Sequence, residues 1–222
     1  MGVRDNPVLN ETEMTRSTVG EQGFPIVVRE ARDDDIAALT ALYARHVLNG
    51  LATFEIEPPD EAEMRRRLHE LTGQGFPWLV AEAPRGAATA AGQTAFAGTS
   101  AAANDSPTVL GYAYAGPYRA RIAWRHTVED SIYLHPDAMG RGIGRLLLSR
   151  LIEASAARGY RQMVAVIGDS ANSASIAVHA ACGFEHVGVL RDVGVKLGRW
   201  VDSVLMQRAL GEGRTTVPAE HT

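Results

Sequence analysis

A single cysteine, Cys182, occurs in the 222 residues of the chain. That excludes an internal disulfide framework and any multi-cysteine zinc or iron–sulfur site. No apolar stretch approaches the ~18 residues that span a bilayer, and the first residues lack a signal-peptide core. A soluble, cytoplasmic protein with no membrane partner is therefore expected. Nor is there an excess of positive charge, because 22 Lys and Arg stand against 26 Asp and Glu, a net charge of −4. General nucleic-acid binding needs clustered cations that displace phosphate counterions, so it is not expected. No His, Asp or Glu cluster reaches metal-ligand spacing, and no metal is expected. What is present is ordinary for a globular chain, with 45% hydrophobic and 22% charged residues. At ~150 residues per domain, the length suggests one to one and a half domains and suffices to bury a core without staples.

Residues 1–24 are polar without sustained apolar periodicity and read as a disordered leader. A single folded domain is expected over 25–210, interrupted at 84–107 by a flexible insertion rich in Ala, Gly, Thr and Ser, and followed by a disordered tail at 211–222. Ile26-Val27-Val28 opens as a strand. Capped by Asp33, Asp34 or Asp35, a helix follows whose Ile36, Leu39, Leu42, Tyr43 and Val47 form one buried stripe. Pro58-Pro59-Asp60 opens a second helix with Met64, Leu68 and Leu71 inward, and its Arg65-Arg66-Arg67 reads as a solvated face. Strands are expected at 77–81, 109–115, 127–134, 163–167, 184–189 and 202–207, and further helices at 145–158 and 173–181, the latter closed by Gly183. Strands and helices alternate and then finish with strands, which suggests an α/β fold with a mixed sheet and helices on both faces.

The most informative segment is Met139-Gly140-Arg141-Gly142-Ile143-Gly144-Arg145, between a strand and a long helix. Glycines at alternate positions let the backbone approach a ligand and expose its N–H groups, and the helix adds the positive end of its dipole. The segment suits phosphates, yet it is neither a P-loop (no GxxxxGK[ST]) nor a dinucleotide GxGxxG. A plain glycine-rich turn is the competing reading of the loop alone.

The loop and its preceding strand resemble the acyl-coenzyme A site of the GNAT N-acetyltransferase superfamily, whose pattern is [Q/R]xxGxG/A. Asn172, Ala174-Ser175-Ile176-Ala177-Val178-His179 and Cys182-Gly183-Phe184 look like the GNAT helix that flanks the coenzyme. Tyr112-Ala113-Tyr114-Ala115-Gly116-Pro117, Thr127 to Tyr133, Val164 to Gly168 and Gly198-Arg199-Trp200-Val201-Asp202 resemble the phosphinothricin and methionine sulfoximine acetyltransferase branch. The resemblance runs from Ile26 to Leu210 and implies a GNAT-like α+β fold with a mixed, mostly antiparallel central sheet. It implies acetyl-CoA as cosubstrate, a small amino acid as acceptor and a homodimer. Met139 departs from the pattern's Gln or Arg, which removes one side-chain contact to the pyrophosphate and leaves the backbone amides.

The same resemblance distributes roles. Glu129 is the candidate base and His179 the candidate acid for the departing thiolate. An ordinary carboxylate, with a pKa near ~4.3, is a weak base for an ammonium, so burial or a bridging water must help Glu129. A lone helix histidine more often satisfies a local hydrogen bond, and only the resemblance promotes His179. A strand N–H near Ile132 is expected to hold the oxyanion. Coenzyme contacts are implied for Ile132, Tyr133, Leu134, Gly140, Arg141, Gly142, Ile143, Gly144, Arg145 and Asn172. Arg119 and Arg121, at alternate positions, suit a bidentate grip on an acidic group and are implied to hold the acceptor. Asp130 and Ser131 complete its wall beside Glu129, and Phe54 and Tyr112 line its pocket. Cys182 lies one helical turn from His179, but no oxyanion motif accompanies it, and a small buried core residue is expected. Two other readings stay open: acetylation of another amine or a protein N-terminus on the same fold, and a non-catalytic acyl-CoA sensor.

Overall fold

The computed structural model describes residues 18–19, 25–83 and 108–218, so the insertion at 84–107, most of the leader and residues 219–222 lie outside the described residues. One sheet organises the rest. Its strands are β1 (Thr18–Val19), β2 (Pro25–Glu30), β3 (Trp78–Ala83), β4 (Thr108–Pro117), β5 (Thr127–Leu134), β6 (Gln162–Gly168), β7 (Glu185–Lys196) and β8 (Arg199–Ala209), in the spatial order β1-β2-β3-β4-β5-β6-β8-β7. Every neighbouring pair is antiparallel except β5 with β6, so the sheet is mixed and mostly antiparallel as expected.

Helices cover both faces. The first, α1 (Ile36–Asn49), buries the expected stripe of Ile36, Leu39, Leu42, Tyr43 and Val47. In α2 (Glu61–Gly73) Met64 and Leu68 turn inward, and Asp60 caps the helix by accepting the Glu63 N–H at 2.8 Å. These two helices pack with Trp78, Val80, Tyr112 and Tyr133 on one side of the sheet. On the other side α3 (Ile143–Ala157) and α4 (Ser173–Ala181) enclose the larger core, to which Leu147, Leu148 and Leu151 of α3 contribute. Cys182 is buried there at the end of α4, as its size suggested. The three aspartates before α1 form a 3-10 turn instead of a side-chain cap. Asp35 serves another purpose, since Arg29 of β2 grips both Asp35 and Glu82 of β3 and ties the turn to the sheet.

From the sequence, β7 is expected to end at Val189, but the strand runs on to Lys196. Polar Arg191-Asp192 hides the continuation because it is a bulge: the register with β8 shifts between Leu190 and Gly194. Asp192 takes a positive φ of 53° there, and its N–H is held at 3.0 Å by the Asp202 carboxylate. Of the polar tail, the described part forms turns held by Arg161, which donates to Thr216 and pairs with Glu212 at 3.0 Å. Among the described residues no helix is long and apolar enough to cross a membrane.

Candidate active site

The sheet opens at its one parallel pair. β5 and β6 are in register only from Thr127 with Gln162 to Asp130 with Ala165. Beyond Asp130 the β6-facing edge of Ser131–Leu134 has no strand partner among the described residues, while β6 continues to Gly168 alongside β8. A backbone edge left without its ladder must find other hydrogen bonds, so this wedge is where an extended, amide-bearing ligand fits best. A cavity occupies it, lined by Asp130, Ser131, Ile132 and Tyr133 of β5, Ala165 to Gly168 of β6, Asn172, Ser175 and His179 at α4, and Ala52. Ile132 and Tyr133, for which the resemblance implies coenzyme contacts, line this cavity. The Leu134 carbonyl already accepts from His46 Nε2 at 2.9 Å. Burial lowers the His46 pKa and so favours the neutral ring.

The glycine segment sits between β5 and α3, as the motif requires. Gly140 and Gly142 have φ of 70° and 76°, the left-handed region that excludes most side chains. Gly144 has a different reason: a Cβ there would press on Leu134 Cδ1 at 3.2 Å. The first turn of α3 has no side-chain cap and no acidic residue, so its N–H groups and dipole remain suited to an anion. Ile143 is buried in the core and offers only its backbone, whereas Arg145 is exposed. Asn172 caps α4, accepting the Ser175 N–H at 3.2 Å, and that leaves its side-chain NH2 as a donor on the cavity wall.

Alternation along β5 sends Glu129, Ser131 and Tyr133 to the α1–α2 side and Asp130 and Ile132 to the α3–α4 side. The Glu129 carboxyl is pushed up to about 6, first by burial and then by the neighbouring Asp130 charge, with Arg119 pulling the other way. That is the help an ordinary carboxylate lacked. Tyr114 and Ser131 share a hydrogen bond beside Glu129. Tyr112, expected in the acceptor pocket, is instead a core residue: it is 1% exposed and stacks on Trp78. Tyr114, two residues along the same face, is the tyrosine beside Glu129.

On the opposite side His179 is 2% exposed with both ring nitrogens engaged. Nδ1 donates to the Ser175 carbonyl at 2.7 Å, and Nε2 meets Asp130 Oδ2 at 2.9 Å. With an oxygen facing each ring nitrogen, the arrangement favours the doubly protonated ring. Burial pulls its pKa down, but the Asp130 hydrogen bond and charge and the Ser175 carbonyl outweigh it, so the pKa is raised. Asp130 is also on the cavity wall, and its Oδ1 is buried without a hydrogen-bond partner among the described residues. Asp130 therefore belongs with His179, across the sheet from Glu129.

Arg119 and Arg121 are exposed in the turn after β4, where the Arg119 guanidinium lies 4.9 Å from the centroid of the Tyr118 ring. Of the two, Arg119 is the one whose charge bears on Glu129. Phe54 lies on the segment after α1 that supplies Ala52 to the cavity. Arg67 is more than the solvated cation it resembles, because it holds Glu55 of that segment at 2.7 Å. No local pattern marks this pair, whose partners come from a loop and the next helix.

The profile of the Acetyltransferase (GNAT) family matches residues 52–184. A phosphinothricin N-acetyltransferase of Alcaligenes faecalis is 48% identical over 191 residues, 86% of each chain. An L-methionine sulfoximine/L-methionine sulfone acetyltransferase of Pseudomonas aeruginosa is 37% identical over 85% of this chain and 96% of its own. A GNAT superfamily phosphinothricin acetyltransferase from Sinorhizobium meliloti, crystallised with AcCoA, superposes with a TM-score of 0.76 at 45% identity, covering 88% of this chain and 94% of its own.

Proposed function

Since the chain belongs to the GNAT acetyltransferase family, we propose that it transfers the acetyl group of acetyl-CoA to the amino group of a small amino acid such as L-phosphinothricin, methionine sulfoximine or methionine sulfone. The observation that carries this reading is the wedge between β5 and β6, with a carboxylate pushed up to about 6 on one side and an uncapped, glycine-led helix start on the other.

In this reading the pantetheine arm adds its amides to the free edge of β5, and the pyrophosphate meets the N–H groups of 140–145. The acceptor enters from the α1–α2 side as an ammonium ion. Glu129 takes one proton, directly or through one water, and frees the nitrogen lone pair. A C–N bond then forms at the thioester carbon, and a β5 N–H near Ile132 receives the oxyanion. Collapse breaks the C–S bond, and the sulfur takes its proton from the His179–Asp130 pair. Of the two protons the nitrogen loses, one is balanced on sulfur and the other goes to solvent.

A thiol-release assay over these three amino acids, ordinary amino acids and polyamines tests the reading. Saturable turnover of the first three is expected, and silence across the panel would overturn the acceptor assignment. Replacing both Arg119 and Arg121 with alanine should raise the KM for these carboxylate-bearing acceptors by about 10–100-fold, the usual worth of a lost charged hydrogen bond. It should also move the acidic limb of the pH profile upward, because Arg119 lowers the Glu129 pKa. An unchanged KM would remove both arginines from the acceptor site.

A homodimer belongs to the same proposal. The β7–β8 hairpin at the sheet edge exposes Val187, Leu190, Val193, Val195, Leu197 and Trp200, the last 65% exposed. Such a patch marks an association surface. Light scattering should report twice the chain mass for the native protein and a monomer for a Val195→Asp, Trp200→Asp variant; a monomeric native protein would refute the dimer.

A further inference from the structure

We propose that Lys196 is a positioning residue for the acceptor, anchoring the segment 51–55 that walls the cavity on the α1 side. This rests on the reading of that cavity as the acetyl-transfer site. The segment has no regular structure of its own, so its placement depends on what it lies against. It crosses the ends of β6 and β7. A Cβ on Gly168 would overlap the Leu51 carbonyl oxygen, and one on Gly194 would overlap the Phe54 ring. Both glycines are therefore seats for the segment. Lys196 fastens it: the residue is 4% exposed, and Nζ donates to the Thr53 carbonyl at 2.7 Å. Tyr43 of α1 holds the same residue through its hydroxyl, 2.9 Å from Thr53 Oγ1, and Arg67 of α2 holds Glu55.

The β7 bulge makes this possible. Gly194 and Lys196, two residues apart, face the segment, while Val193, Val195 and Leu197 are exposed. A slip of one residue would turn Val195 inward and Lys196 outward, and the register shift between Leu190 and Gly194 sets the phase. Burying an ammonium against a carbonyl is costly in isolation. The Glu55 charge offsets part of that cost, and Glu55 belongs to the segment being held. Anchor and anchored segment thus stabilise each other, and Ala52 is kept on the cavity wall.

Lys196→Met keeps the length of the side chain and deletes its charge and donors. It should raise the acceptor KM about tenfold while kcat and the acetyl-CoA KM stay within twofold. Amide hydrogen exchange over 51–55 should accelerate in the same variant. Gly194→Ala should raise the acceptor KM in the same direction by displacing Phe54, and should add nothing in a Phe54→Ala background. Unchanged exchange in 51–55 would overturn the proposal, even if the melting temperature fell. If the native protein acetylates none of the panel, the function reading fails, and the exchange measurement still decides the anchoring role. Should Lys196→Met not fold, exchange over 51–55 in Lys196→Gln, which also deletes the charge, decides the anchoring role in its place.

Discussion

Glu129→Gln is expected to lower kcat by about 10²–10⁴-fold, the range that a positioned general base supplies. Acetyl-CoA affinity should remain within twofold, since Glu129 lies on the side of β5 away from α3 and α4. Glutamine keeps the shape and the neighbours of the carboxylate but cannot take a proton. The pH profile separates a base from a merely structural carboxylate. For the native protein, kcat/KM should fall tenfold per pH unit below about 6, because protonated Glu129 cannot accept. An unshifted glutamate would place that limb near ~4.3. Burial and Asp130 move it up, Arg119 holds it back, and the net position is what the titration reads. In Glu129→Gln the limb should vanish, and activity should recover toward alkaline pH as free amine becomes abundant without help. Retention of kcat within fivefold, or a break near pH 6 that survives the substitution, would remove Glu129 from proton transfer.

The local patterns carried most of the fold. The bounds 127–134 and 173–181 match the observed β5 and α4, because alternation marks the strand and because Asn172 and Gly183 end the helix by side-chain and backbone chemistry that sequence shows directly. The α1 stripe was legible for the same reason, since helical spacing alone determines which residues share a face. What stayed hidden depends on distance. Tyr112 and Tyr114 share a face of β4, so alternation cannot say which lies nearer Glu129; the pairing of Tyr114 with Ser131 and of Tyr112 with Tyr133 decides it. Asp130 and His179 are 49 positions apart and meet only because α4 packs beside the opened strand. The β7 bulge, the two glycine seats and Lys196 each look like an ordinary hairpin residue until the segment after α1 is laid across them. Family resemblance named the chemistry of Glu129 and His179. The structure adds what resemblance could not, namely the Asp130 partner that raises the pKa of the His179 ring and the burial that raises that of the Glu129 carboxyl.

That charged pair gives the other large effect. Removing Asp130 leaves a buried imidazolium without its partner, and breaking such a pair costs about 3–5 kcal/mol. The cost should depend on pH in a definite direction. With Asp130 present, the His179 pKa is raised on folding, so the pair's contribution is complete below the unfolded histidine value of ~6.5 and fades as pH rises through the raised folded value. In Asp130→Ala only the Ser175 carbonyl remains against burial, and folding then favours the neutral ring. Urea denaturation should therefore show the largest deficit near pH 5–6 and a smaller one near pH 9. A Val or Leu packing defect would give the same deficit at both. Adding His179→Ala should restore part of the loss at acidic pH, since the unpaired charge disappears with the ring, and the double-mutant cycle should report strong coupling that weakens as pH rises. A deficit independent of pH, or additive single substitutions, would mean that His179 is neutral in the folded protein and cannot be the acid that protonates the leaving sulfur.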